Sequence, residues 1–236
     1  MERNFVMKIS SWAVLATATV LSTQPASAKI MKCSDGGFHA NTKVAATLLG
    51  VVDGDTVHIS VSGQDFTVRL LTIDTPETHY EGHSQGYWGE QAAQNLQRLA
   101  GAVPSAATIE LESDPCDKYG RVLAHVFVKG VNLNLEQLKA GMAVNYCIAP
   151  NLNHCAEYAP VVQTAIDQQL GIFSDADLEL PYLWRRAMSG READKYVGSL
   201  SSKQVYLPNQ EDLVEVADRV YFLSADDIQP PYYLAD

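Results

Sequence analysis

Positions 57–61 (Val57, His58, Ile59, Ser60, Val61) alternate apolar and polar side chains, the two-residue period of a strand with one buried face. Gly63 and Gln64 mark a turn, and Phe66, Val68 and Leu70 repeat the alternation on the return, so the two runs predict a hairpin. The same reading predicts strands over 42–52, 57–62, 65–72, 107–112 and 122–128. A period near 3.6 replaces it elsewhere. Ala92, Ala93, Leu96 and Leu99 share one stripe of a helix over 89–100. A second helix, 133–140, starts from an Asn132 cap and stops at Gly141. Val161, Val162, Ala165, Ile166 and Leu170 make a third over 155–170, ending at Gly171. Five short strands and three helices give an α+β class and suit a partly open Greek-key β-barrel of the OB type.

The ends read differently. Arg3 and Lys8 precede an apolar run over 12–21 that is too short to span a bilayer, and Ala26-Ser27-Ala28 is a small-residue cleavage site. A signal peptide over 1–28 is therefore expected, with cleavage after Ala28 and a secreted or periplasmic product. No later run is apolar for long enough to predict a membrane anchor. The remainder divides into a polar leader (29–43), a main domain (44–174), a linker docking through Tyr182 and Trp184 (175–195) and a small C-terminal cap (196–236).

Cys33, Cys116, Cys147 and Cys155 follow the expected signal peptide, and export makes disulfides their natural state. Four cysteines allow three pairings. The shortest loop favours Cys147 with Cys155 and leaves Cys33 for Cys116, whereas a Cys116–Cys147 bond would tie the turn at Arg121 to Tyr146.

Charge sets a constraint. The chain has 17 basic and 28 acidic residues, and a net charge of −11. Within 44–175 the basic residues are Arg69, Arg98, Lys118, Arg121, Lys129 and Lys139, heavily outnumbered by acids. Such a balance disfavours tight wrapping of duplex nucleic acid, which needs a basic field.

Three separated motifs carry the chemistry. Asp53-Gly54-Asp55-Thr56 ends one apolar run, Arg69 leads through Leu70 to Asp74-Thr75-Pro76-Glu77, and Asp117-Lys118-Tyr119-Gly120-Arg121 precedes the strand at 122. Each alone is an ordinary turn or a helix start. Together they supply two carboxylates at strand ends for a hard cation, two arginines for phosphate charge, and a spare glutamate as base.

In that order and spacing they resemble the staphylococcal nuclease (thermonuclease) family over about 44–174. The resemblance implies Asp55, Asp74 and the Thr75 carbonyl as Ca²⁺ ligands, Glu77 as general base, and Arg69 and Arg121 as phosphate clamps. Lys118 and Tyr119 would bind a terminal phosphate and Tyr146 would pack against a base. Asp53 would be auxiliary. DNA and RNA are the implied substrates, single-stranded or short given the acidic surround, cut to 3′-phosphate products by a monomer. The segment after 196 resembles a small zinc module sometimes appended to these nucleases. No cysteine follows Cys155, so a metal-free cap is expected. The rival reading is an inert OB-fold module binding single strands or an exported protein partner, and the full set of acids and arginines argues against it.

Overall fold

The computed structural model describes Met1 and residues 29–235, so the expected signal peptide, Met1 apart, lies outside the described residues. In chain order the elements are β1 (Ile30–Met31), β2 (Lys43–Val51), β3 (Thr56–Val61), β4 (Gln64–Leu70), β5 (Thr72–Asp74), α1 (Tyr87–Ala100), β6 (Ser105–Glu110) and β7 (Val122–Val128). There follow β8 (Val131–Asn132), α2 (Leu133–Lys139), β9 (Val144–Ile148), α3 (Cys155–Asp167), α4 (Pro181–Ser189), β10 (Tyr196–Ser199), β11 (Gln204–Tyr206), β12 (Arg219–Phe222) and β13 (Tyr233–Leu234).

The period-two pattern becomes a barrel. β3 pairs antiparallel with β2 and β4, β6 pairs with β2 and β7, and β7 returns to β4 in parallel. That last pairing, Val68 with Val122 through Leu70 with Ala124, closes the five strands where the sequence suggested a partly open barrel. A parallel contact between strands so far apart leaves no mark on local periodicity. Phe66, Val68 and Leu70 point into the core while Thr67 and Arg69 face the other side, as the alternation requires. Leu48, Ile59 and Ile109 join them inside, sealed by Leu96 of α1, Leu133 and Leu138 of α2, and Tyr158 and Val162 of α3. The start of α2 follows from Asn132, whose side chain accepts the Leu135 N–H.

A second sheet was not legible in the sequence. β5 pairs antiparallel with β9, and β12 joins β9 in parallel through Val220 with Cys147 and Tyr221 with Ile148. β10, β11 and β13 extend it outward. The C-terminal residues therefore continue a sheet that begins beside the barrel, with Val205, Val220 and Phe222 packed on the Cys147–Cys155 bridge.

Within 175–195, read from the sequence as a linker, the chain forms helix α4. Pro181 opens it, and Gly190 closes it at φ 60°. Tyr182 is buried, and the Trp184 ring meets Tyr80 edge-on at 6.2 Å. The disulfides are Cys33–Cys116 and Cys147–Cys155, the pairing that loop length favoured. Among the described residues no helix is long and apolar enough to cross a membrane.

Candidate active site

Chain reversals next to the barrel gather the acids. In the turn between β2 and β3, Asp53 Oδ1 accepts the Asp55 N–H at 3.0 Å, which fixes the direction of the Asp55 side chain. Leu70 N–H donates to the Asp55 carbonyl at 2.8 Å, and Thr75 donates both its N–H and its hydroxyl to Asp55 Oδ2, each at 3.0 Å. Asp74 is fully buried at the end of β5.

Arg69 ties this corner together. One guanidinium nitrogen donates to the Leu70 and Ile73 carbonyls at 2.6 and 2.8 Å; the other reaches Asp74 Oδ1 at 2.9 Å and Asp55 Oδ2 at 3.1 Å. Between the two carbonyls Thr72 holds φ at 68°, a conformation a β-branched residue rarely adopts. The guanidinium thus braces a strained reversal while neutralising two carboxylates. Burial alone would lower the Arg69 pKa, yet Asp55 and Asp74 hold it above the ordinary value.

Glu77 sits one step beyond. Its N–H donates to the Gln85 side chain at 3.1 Å and its carbonyl accepts the Gln85 N–H at 2.8 Å, so the loop over 78–86 is closed at its neck. That loop carries His79 and His83, and Tyr80 and His83 bridge to each other within it. Gly89 of α1 lies so close to the Glu77 carbonyl that an added Cβ would stand 2.5 Å from it. Burial raises the Glu77 carboxyl to about 7; Arg185 opposes the shift, and Asp74 and Asp55 add to it. Asp53 is likewise raised to about 6, mainly by burial and then by Asp55.

Arg121, Lys118 and Tyr119 stand on the turn before β7. Asp117 accepts the Arg121 side chain at 2.6 Å and the Arg121 N–H at 2.8 Å, and the Tyr119 ring lies under both cations, 5.2 Å from Lys118 Nζ and 5.5 Å from the Arg121 guanidinium. Leu123 pairs with Arg69, which puts this turn on the strand neighbouring that of Arg69. Lys32 and Ser34 line a shallow pocket of about 200 Å³ there, together with Lys118 and Tyr119. Tyr146, in β9, is half-buried between Tyr182 and Tyr221 of the C-terminal region, at 5.6 and 5.1 Å.

A profile described as Staphylococcal nuclease homologue matches residues 67–175. Endonuclease YncB of Bacillus subtilis is 33% identical over 151 residues, covering 62% of this chain and 68% of YncB. The chain belongs to the staphylococcal nuclease homologue family. Endonuclease YhcR of the same organism is 30% identical over 194 residues, 78% of this chain, and the SPbeta prophage-derived endonuclease YokF is 36% identical over 135 residues, 56% of it. The chain spans only 16% of YhcR and 44% of YokF.

The five-stranded barrel is the fold expected of this nuclease family. Asp55, Arg69, Asp74 and Thr75, picked from the motifs, meet in one cluster that Glu77 joins through Arg185, whereas Arg121, Lys118 and Tyr119 form a separate group with Asp117. The donors beside Thr75 are all oxygens, the chemistry of a hard cation. Among the described residues no three His, Cys, Asp or Glu side chains are grouped to hold a metal, so a cation here would rely on Asp55, Asp74, main-chain oxygen and water.

Sequence reasoning missed the residues that lock this corner from outside. On α2, buried Gln137 donates to the Gly54 and Ala92 carbonyls and buried Asn134 to the Leu71 carbonyl. Their signal was a polar residue beside each core-facing leucine, Asn134 after Leu133 and Gln137 before Leu138, in a short helix. Arg185, on α4, donates to Asp74 at 2.9 and 2.8 Å and to Glu77 at 2.6 Å. It had no motif to betray it.

Proposed function

We propose that this protein is a nuclease that hydrolyses phosphodiester bonds of DNA and RNA with the help of Ca²⁺. The observation that carries the reading is the convergence of Asp55, Arg69 and Asp74 on one corner with Glu77 beside it, carboxylates for a hard cation, a guanidinium for phosphate charge and a further carboxylate placed for general-base work. Glu77 takes the proton of a water whose oxygen attacks phosphorus. The 5′-oxygen leaves with its bonding pair, and a 3′-phosphate remains. Arg69 and Arg121 neutralise charge on the phosphoryl oxygens. Asp55, Asp74 and Thr75 would hold the cation, which supplies Lewis-acid stabilisation of the same charge when bound. Lys118 and Tyr119 would receive a neighbouring phosphate and Tyr146 a base.

The net charge of −11 supports single-stranded or short substrates over long duplexes, since few basic groups are present to displace the counterions condensed on a duplex. The two disulfides support export to an oxidising compartment, secreted or periplasmic.

Cleavage of single-stranded DNA, measured with Ca²⁺ or with chelator, tests the reading. Cleavage that needs Ca²⁺ and falls by orders of magnitude in Glu77→Ser is the expected result. Intact DNA in the presence of Ca²⁺ would favour a binding module instead.

A further inference from the structure

One carboxylate proposed to hold a cation, Asp74, already has a cationic side chain on it, shared with the proposed base Glu77. Arg185 straddles Asp74 and Glu77: one nitrogen donates to Asp74 Oδ1 at 2.9 Å and to Glu77 Oε1 at 2.6 Å, and the other to Asp74 Oδ2 at 2.8 Å. Its side chain is only 18% exposed. Asp74 Oδ1 also accepts from Arg69, so three of about four lone-pair positions on the Asp74 carboxylate are taken.

This placement is built. Tyr182, one turn earlier on α4, packs against Tyr146 and Tyr221 and donates its hydroxyl to Asp194. Arg186, the next residue, pairs with Glu211. The Tyr146 ring lies 5.9 Å from the Arg185 guanidinium, and the Ser189 hydroxyl donates to the Arg185 carbonyl at 2.8 Å. Both sides of α4 are therefore held, and the guanidinium is delivered to the carboxylates rather than reaching them from a free surface.

We propose that Arg185, the counter-ion shared by Asp74 and Glu77, competes with the divalent cation for Asp74, so that the C-terminal region sets the cation affinity of the site. With one lone-pair position left on Asp74, and two positive charges opposed across it, a cation and the bidentate fork compete for these oxygens. Cation entry therefore detaches Arg185 from Asp74 and frees it to turn toward a substrate phosphate, and cation loss lets it return. Reciprocity follows: the factor by which the Arg185 contact weakens cation binding is the factor by which a bound cation weakens that contact. The inference rests on the cation reading given above.

The experiment is calorimetric titration of CaCl₂ into the protein and into Arg185→Gln and Arg185→Lys, with thermal melting to verify that each is folded. Arg185→Gln should bind Ca²⁺ on the order of 10-fold tighter, and Arg185→Lys should fall between. Ca²⁺ should also raise the melting temperature of Arg185→Gln more than that of the wild type. Equal or weaker affinity in Arg185→Gln overturns the competition and leaves the cation reading intact. No binding to either protein overturns both. Should Arg185→Gln fail to fold, the wild type decides through its arginine side-chain NMR signals. A protected Arg185 guanidinium in chelator that loses protection in saturating Ca²⁺ supports the exchange, and an unchanged signal refutes it.

Discussion

Asp55 and Thr75, twenty residues apart, are joined twice, through the Thr75 N–H and the Thr75 hydroxyl onto the same carboxylate oxygen at 3.0 Å. This pair of hydrogen bonds between two loops fixes the end of β5 against the turn after β2. Everything assembled at the site depends on how closely those two loops approach.

Gly54 makes that approach possible. A Cβ there would lie 2.5 Å from Thr75 Oγ1, 2.7 Å from Ala92 Cβ and 2.8 Å from Thr75 Cβ. Gly54→Ala should therefore push the turn off Thr75, destabilise the fold by roughly 1–3 kcal/mol, and cut activity by on the order of 10²-fold through misplaced Asp55. Denaturant melts and cleavage rates of the same preparation test it. Unchanged values for both would show that the turn has slack.

Arg69→Lys removes a fork that serves the Leu70 and Ile73 carbonyls along with Asp55 and Asp74. An ammonium keeps the charge and reaches only part of that set. Nuclease activity should drop by on the order of 10²–10³-fold, the scale of one lost transition-state stabiliser, and the melting temperature should fall as well. Activity within a few-fold of wild type would argue against the clamp role.

The Cys33–Cys116 bond spans 83 residues and holds the leader against the turn of Lys118 and Tyr119, where the Cys33 N–H donates to the Gly120 carbonyl at 2.8 Å. Closing so long a loop restricts the unfolded chain by roughly 4 kcal/mol in the chain-entropy account. Replacing both cysteines with alanine should lower unfolding free energy on that scale and raise KM more than it lowers kcat. A double mutant as stable as the parent would assign the stability of this edge to packing.

A buried polar chain runs away from the site: Glu112 to His125 at 2.7 Å, His125 to the Tyr158 hydroxyl at 3.1 Å, and the Asn132 amide to that hydroxyl at 2.7 Å. Burial, with His154 nearby, pushes the His125 imidazole below its ordinary 6.5, although Glu112 and Glu110 pull the other way. The unfolded chain then takes up this proton before the folded one does. Stability from His125 is complete above the ordinary pKa and is lost as pH falls through it toward the lower folded value. Melting temperatures from about pH 7 to about pH 5 should decline more steeply in the wild type than in His125→Gln, and parallel curves would count against it.

The sequence by itself determined the barrel strands, the first three helices and the cluster of Asp55, Arg69, Asp74, Thr75 and Glu77. These follow from local pattern: alternation chooses a strand face, Asn132 starts α2, and the acids sit within a few residues of the turns that present them. It did not determine the parallel closure of β4 on β7, the docking of β12 on β9, or the arrival of Arg185 at Asp74 and Glu77. Those contacts join segments far apart along the chain and leave no periodicity behind. The packing of Tyr182 and Tyr221 over Tyr146, with the Arg186–Glu211 pair, carries the guanidinium to fully buried Asp74 and partly buried Glu77, where a counter-charge is needed.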